Sequence, residues 1–323
     1  MNEIRWGIIG CGNVTEVKSG PGFQKAENSR LVAVMRRDEV LAADYAARHG
    51  VPKWYSRADE LIRDPEVDAV YIATPPAYHH PYTLACAAAG KPVYVEKPMA
   101  LNAAECDEME AVCTKAGVPL FVAFYRRALP RFLQVKMWLE EGAIGEVRTV
   151  VTRHYGKPTA QELAGEPSWR VKPELSGGGY FFDVGSHTLD LLDYLLGPIV
   201  RVSGDASNQA GLYAAEDIVT GSYVFESGVH GVGTWCFSSN FDYEQNEIIG
   251  SKGRIEFSTF TEAPVRLIRE SGTEERHIEH PAHVQQPLIQ SIVDELLGRG
   301  ACPSRGDTAI RTSRVMDAMI RGY

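Results

Sequence analysis

The most constraining feature of this chain lies at its start. Residues 4–9 form a largely apolar run, Gly10-Cys11-Gly12 follows, and a helix-like stretch continues from Asn13 and Val14. A strand ending in Gly-x-Gly lets backbone amides approach a pyrophosphate, and the N-terminus of the next helix favours that negative charge. The first glycine permits the tight turn, and at the second any Cβ would intrude on a phosphate. Gly10, Gly12, Asn13 and Val14 are therefore read as cofactor-binding positions of a dinucleotide fold. Thr15 occupies the third small position of the usual pattern, which predicts slightly looser helix–strand packing there. A plain strand-to-helix turn has the same local look; the position and the strand that follows favour the nucleotide.

The next strand indicates which dinucleotide. Residues 31–35 form a second apolar run, and an acidic residue roughly 20 positions after the glycines normally accepts from the ribose 2′-OH. Here the run ends in Arg36-Arg37, with Asp38 just beyond. Two guanidiniums at that point suit a 2′-phosphate, which they bind bidentately. The expected cofactor is NADP(H) in preference to NAD(H), held by Arg36 and Arg37; Asp38 is the residue that would serve a bare ribose.

At 323 residues the chain has room for about two domains, each able to bury its own core. A net charge of −9 with no Lys/Arg cluster argues against a nucleic-acid partner. No apolar run approaches the roughly 20 residues that span a bilayer, and the N-terminus runs straight into a strand, so neither membrane nor leader is expected. The six cysteines are scattered without a Cys-x-x-Cys pair, which reads as a reducing, cytoplasmic compartment. Cys11 is taken as a small residue that fits the glycine turn, not as a catalytic thiol.

Helical patterns at 17–26, 40–49, 57–62, 81–89 and 102–116 alternate with apolar runs at 67–74, 92–95 and 119–123. Such βα alternation means a parallel, doubly wound sheet. The second half changes character. A helix at 131–141 leads to a long strand at 146–155, a Gly-rich break at 177–179, and a helix to about 196. From 199 to 278 the chain reads as strands, with turn signals at 226–228 and 250–253 that predict antiparallel neighbours. Helices at 284–297 and 308–321 close the chain.

Two constellations can carry chemistry. Glu96-Lys97-Pro98 follows a buried strand, where a parallel sheet presents its ligands, so Lys97 points to the cleft as a cation for a developing alkoxide. A solvated Lys97–Glu96 pair is the bland alternative. The second is Asp183 and His187, four apart on one helix face, a carboxylate beside an imidazole suited to acid–base work near neutral pH. Asp190 continues that face, but no second ligand cluster accompanies it and no metal is expected. The bland reading of His187 is a satisfied histidine at an interdomain contact. His79 and His80 follow the strand ending at Thr74 and are candidates for the nicotinamide side. His154, Tyr155, Trp169 and Arg170 are candidates for sugar hydroxyls, and of these Tyr155, Trp169 and Arg170 join Lys97, Asp183 and His187 as the expected substrate-binding set.

Taken together, the stretches 8–14, Tyr71-Ile72-Ala73-Thr74-Pro75-Pro76 with His79, Glu96-Lys97-Pro98-Met99, and Gly177-Gly178-Gly179 with Asp183-Val184-Gly185-Ser186-His187 resemble the glucose–fructose oxidoreductase/inositol dehydrogenase (Gfo/Idh/MocA) family. The resemblance runs over nearly the whole chain. It implies an α/β fold: an N-terminal Rossmann domain with a doubly wound parallel sheet at 1–123, then a C-terminal α/β domain with a large, predominantly antiparallel sheet at 124–323 for substrate binding and oligomerisation. It also implies Thr74, Pro75, His79, Glu96 and Lys97 on the cofactor, and Lys97, Asp183 and His187 in catalysis. The activity implied is NAD(P)-dependent hydride transfer to or from a sugar, polyol or related small molecule, in a homodimer or homotetramer. An NAD-dependent glycoside hydrolase and a non-catalytic cofactor-binding regulator are the alternatives within the same fold. Arg36 resembles the NADP-linked branch.

Overall fold

The structure, a computed structural model, describes residues 2–320. Six short apolar runs form a parallel sheet: β1 (Ile4–Ile9), β2 (Ser29–Met35), β3 (Lys53–Tyr55), β4 (Ala69–Ile72), β5 (Val93–Val95) and β6 (Leu120–Val122). Every residue of β4, β5 and β6 is buried, as a sheet covered by helices on both faces requires. The strand order is β3-β2-β1-β4-β5-β6, so the direction of winding reverses between β1 and β4. Ligands of such sheets bind beyond the carboxyl ends of the strands at that reversal.

The sheet and its helices form one compact unit, running to Leu129 and taking in Pro281–Ile310 as well. This differs from the single boundary at 123/124 expected above. The reason lies at β6 and β5. Val122 N donates to Ser304 O, Ser304 Oγ donates back to Val122 O at 2.7 Å, and Gln285 reaches the buried side chains behind β5. The second unit comprises Pro130–His280 and the chain from Arg311 onward.

The helix expected at 17–26 is two helices, Asn13–Val17 and Gly20–Lys25. The cause is Gly20-Pro21-Gly22: Pro21 suits the first turn of a new helix, and Gly20 crosses its neighbours too closely for a side chain. A Cβ at Gly20 would lie 2.1 Å from Thr15 O and 2.4 Å from Tyr45 Oη. Thr15 itself is fully buried, its Oγ1 donates to Gly12 O at 2.8 Å, and its carbonyl accepts from Tyr45. The packing at Thr15 is therefore tight, not loose; the close approach has moved to Gly20. Other helices match their signals: Asn102 caps Ala103–Ala116 by accepting from Glu105 N, and Gly117 ends it at φ +68°.

The second unit is built on eight strands: β7 (Val147–Tyr155), β8 (Ile199–Ser207), β9 (Ile218–Phe225), β10 (His230–Cys236), β11 (Tyr243–Gly250), β12 (Gly253–Phe257), β13 (Val265–Arg269) and β14 (Gly272–Arg276). Their order is β14-β13-β12-β11-β7-β10-β9-β8, and every neighbouring pair is antiparallel except β7 with β10. One face is covered by the helix Ser186–Leu196, whose residues 186–193 are all buried. That helix is tied to the last one, Gly306–Met319, by Arg311 on Asp193, with Nη2 2.5 Å from Oδ1. The final residue expected in that last helix, Arg321, lies outside the described residues. Among the described residues no helix is long and apolar enough to cross a membrane.

Candidate active site

In the first unit, the residues singled out by sequence cluster at the carboxyl ends of β1, β2, β4 and β5. Gly10 has φ +92°, and a Cβ there would lie 2.9 Å from Thr74 Cγ2, so the turn after β1 and the residues after β4 are in direct contact. Gly12 differs. A Cβ on it would meet no protein atom nearer than Gly10 O at 3.8 Å, so the chain's own packing does not demand glycine there. The space beside that backbone is what a phosphate needs, and the turn fits a dinucleotide on this ground. Asn13 is exposed and Val14 half-buried just after it. Cys11 is fully buried and its thiol is pushed up to about 11, which suits an inert filler.

Arg36 and Arg37 follow β2. Arg36 Nη1 donates to Cys11 O at 3.3 Å, which brings its guanidinium against the glycine turn. The Arg37 guanidinium lies 5.4 Å from the Tyr78 ring centroid. Asp38 caps the helix Glu39–His49, its Oδ1 accepting from Leu41 N at 3.1 Å. The carboxylate that would serve a bare ribose is engaged in holding a helix end.

Two of the expected cofactor contacts, His79 and Glu96, are buried and paired within the protein. His79 is fully buried: Nε2 lies 2.7 Å from Thr74 O, and Nδ1 lies 3.0 Å from Pro98 O. It ties the segment after β4, with Thr74 and the half-buried Pro75, to the turn after β5, and has no exposed surface for a ligand. Burial lowers its pKa, opposed by those carbonyls and Glu96. Glu96 also faces inward. Its Oε1 accepts from Tyr71 at 2.5 Å and from Gln285 Nε2 at 2.6 Å, and its Oε2 accepts from Lys97 N at 3.2 Å. Gln285 in turn accepts from Tyr94 at 2.7 Å. Burial drives both tyrosine hydroxyls well above their ordinary pKa, so they act as fixed donors. This buried network fixes the backbone of Lys97, which is half-buried and precedes a cis bond to Pro98. Gln285 lies 189 positions from Glu96, and no local pattern announces it.

In the second unit the glycine break Gly177–Gly179 leads into a π-helical turn, Phe181–Gly185, and then into the helix beginning at Ser186. Wide turns of this kind recur at functional sites. Asp183 sits in the turn and His187 just beyond it, buried. Gly179 N donates to Glu216 Oε1 at 2.7 Å; burial pushes the Glu216 carboxyl up to about 7. Arg170 Nε lies 3.2 Å from Asp183 Oδ2, and its guanidinium stacks 4.7 Å from the Trp169 ring centroid. Trp169 and Arg170 are thus brought to Asp183. Asp190 accepts from Thr312 Oγ1 at 3.4 Å.

Tyr155 lies on the other face of the sheet from His154. Along β7, Val150 and Thr152 are buried on the inner face, so His154 is inner and Tyr155 outer. Tyr155 packs edge-on against Phe241 and stacks near Tyr243, both exposed. His154 instead packs on Phe260 at 5.3 Å between centroids, and His187 packs on the same ring at 5.9 Å. Phe260 is held by Glu244, which accepts from Ser258 Oγ and from the backbone amides of Thr259 and Phe260. Thr259 also links to Thr188 and Asn246, and Asn246 to Thr152, so one turn fixes the start of the helix and the end of β7 together. Glu244 and Phe260 went unread because their role depends on strand register across β11 and β7.

Residues 4–124 match the model of the oxidoreductase family with an NAD-binding Rossmann fold, and residues 132–256 match the GFO/IDH/MocA C-terminal domain. Oxidoreductase P35 of Formosa agariphila is 39% identical over 321 residues, covering 98% of each chain. Myo-inositol 2-dehydrogenase of Thermotoga maritima is 32% identical over 83% of this chain and 79% of its own. Among solved structures, the aldose-aldose oxidoreductase of Caulobacter crescentus, complexed with glycerol, superposes with a TM-score of 0.87 at 28% identity, covering 98% of this chain and 96% of that one. With the fold and both motif regions in agreement, the chain belongs to the Gfo/Idh/MocA family and is an NAD(P)-dependent oxidoreductase.

Proposed function

We propose that this enzyme transfers hydride between a nicotinamide, NADP(H) in preference to NAD(H), and a carbinol or carbonyl carbon of a sugar or polyol. The observation that carries the cofactor half is the pairing of Arg36 on the glycine turn with an Asp38 engaged as a helix cap. A guanidinium there favours a 2′-phosphate, and a capping carboxylate is poorly placed to serve a ribose hydroxyl. The substrate half draws on relatives named for polyhydroxylated substrates, myo-inositol and aldoses.

When bound, the nicotinamide supplies or accepts the hydride. Gly10, Gly12, Asn13 and Val14 hold the phosphates, with Thr74 and Pro75 beside them. Lys97, as a cation on a turn fixed by Glu96, stabilises partial negative charge on the substrate oxygen. His187 exchanges the hydroxyl proton, and Asp183, itself held by Arg170, orients the imidazole and the substrate. Trp169 and Arg170 bind the rest of the substrate. Assembly is proposed through the outer face of the large sheet, where Val232, Phe241 and Tyr243 are exposed.

Titrating NADPH and NADH separately into the purified protein tests the cofactor half. Binding of NADPH at least tenfold tighter supports the reading, and equal or reversed affinities would remove the preference.

A further inference from the structure

The glycine break ahead of Asp183 and His187 is gripped by a side chain far from it in sequence. Gly179 N donates to Glu216 Oε1 at 2.7 Å, and Glu216 is fully buried. The two backbones also touch: a Cβ on Gly179 would lie 2.4 Å from Glu216 O. Glu216 is itself rigidly presented. On one side Ala215 O accepts from Asn208 Nδ2 at 2.8 Å, and on the other Asp217 O accepts from Phe237 N at 2.7 Å. The Asp217 carboxylate accepts from the amides of Gln209 and Ala210. Burying a carboxyl costs stability even beside a partner, so attention turns to what it holds.

Glu216 holds the entry to a turn that has two possible windings. Phe181–Gly185 is π-helical, and Ser186 N donates to Phe181 O across five residues. Such a turn carries about one residue more than an α turn. A return to α winding would rotate the chain before it by about 100° relative to the helix after it. Asp183 lies inside the turn and His187 just beyond it, so their mutual orientation depends on the winding. The entering chain is pinned at successive residues. Ser176 Oγ donates to Gly178 O at 2.6 Å, Glu216 takes the Gly179 amide, and Tyr180 Oη donates to Glu162 Oε1 at 2.6 Å. Phe182 N then donates to Gly179 O at 3.1 Å, so the residue gripped by Glu216 is the one on which the turn starts.

We infer that Glu216 is a positioning residue: by holding the Gly179 amide it keeps the π-helical turn wound and Asp183 and His187 in their mutual orientation. It acts through the backbone of Gly179. The inference rests on the proposed function for the roles of Asp183 and His187, but not for the hold itself.

The test compares Glu216→Leu, which has no acceptor, with Glu216→Gln, which keeps one at the same reach. Should Glu216→Leu fail to fold, Glu216→Asp takes its place, one methylene too short to meet Gly179. Backbone hydrogen exchange is followed in residues 179–187, with the helix Ala103–Ala116 of the other unit as reference. In Glu216→Leu we expect exchange in 179–187 to quicken about tenfold or more, with the reference unchanged. Its kcat on the best polyol should fall about tenfold or more, with KM and the NADPH dissociation constant within about threefold. Glu216→Gln should stay within about threefold of the parent in kcat and exchange as the parent does. Unchanged exchange in 179–187 would overturn the inference, as would equal quickening of the reference helix. Quickened exchange with an unchanged kcat would overturn it too, and so would an equal loss of kcat in Glu216→Gln. Local quickening in a protein whose parent turns over no polyol would overturn the proposed reaction and support the hold.

Discussion

Arg36 shows how much a single side chain decides. Its guanidinium lies against Cys11 O in the glycine turn, where an acidic residue would repel a 2′-phosphate and accept from a ribose. Arg36→Asp should therefore weaken NADPH binding at least tenfold more than NADH binding, about 1.4 kcal/mol or more of discrimination, read by fluorescence titration. Equal losses for the two nucleotides would contradict the assignment. Arg36 was legible in the sequence because it follows an apolar strand at a known offset from the glycines. His79 and Glu96 were legible as motif members but not as buried ones. Each turns inward to partners, Pro98 O and Gln285, that sequence distance conceals.

A second residue-scale expectation concerns Glu216, which holds Gly179 N and is buried. Its folded pKa of about 7 lies above the unfolded value near 4.3. A raised carboxyl pKa means that the folded state favours the protonated form. Stability is then undiminished below the unfolded value and falls as pH rises from about 4.3 to 7. Glu216→Gln removes that penalty and keeps an acceptor for Gly179. By urea unfolding the variant should gain about 3.5 kcal/mol over the parent at pH 8 and show no gain near pH 4. A pH-independent difference would contradict the origin assigned to the shift.

At the scale of elements, alternation of apolar runs and capped helices made the first unit readable almost throughout, since each strand and helix carries its own local signal. The exception is the helix pair after β1, where Gly20-Pro21-Gly22 restarts the chain and takes over the close crossing expected at Thr15. Gly20→Ala should cost about 3 kcal/mol in urea unfolding, because the added methyl meets a backbone carbonyl that cannot yield. A cost below about 1 kcal/mol would show that the crossing is slack. The end of β7 was not readable in the same way. Both parities of that strand mix apolar and polar residues (Val147, Thr149, Val151, Arg153 and Tyr155 against Arg148, Val150, Thr152 and His154), so no alternation selects the inner face. Only the pairing with β10 and β11 does so, and it puts His154 rather than Tyr155 on the inner face.

For the molecule as a whole, the order of motifs along the chain was enough to indicate a Rossmann unit followed by a large, mostly antiparallel sheet. It was not enough to show that Pro281–Ile310 returns to the first unit, because hydrogen bonds such as Val122 with Ser304 span 182 residues and leave no local trace. The two halves of the chemistry are built separately. A buried carboxylate network fixes Lys97 in one unit, and one turn, Ser258–Phe260, anchors the His187 segment in the other. The measurement that bears most directly on the account is turnover on a panel of polyols and keto-sugars, followed at the reduced-nicotinamide absorbance, for the parent, Lys97→Ala and His187→Ala. The account expects net NADP(H)-linked redox turnover by the parent, and loss of about 10²-fold or more in kcat in each variant with nucleotide binding kept within a few-fold. Near-normal rates in either variant, or nucleotide binding by the parent without net redox change on any substrate, would contradict it.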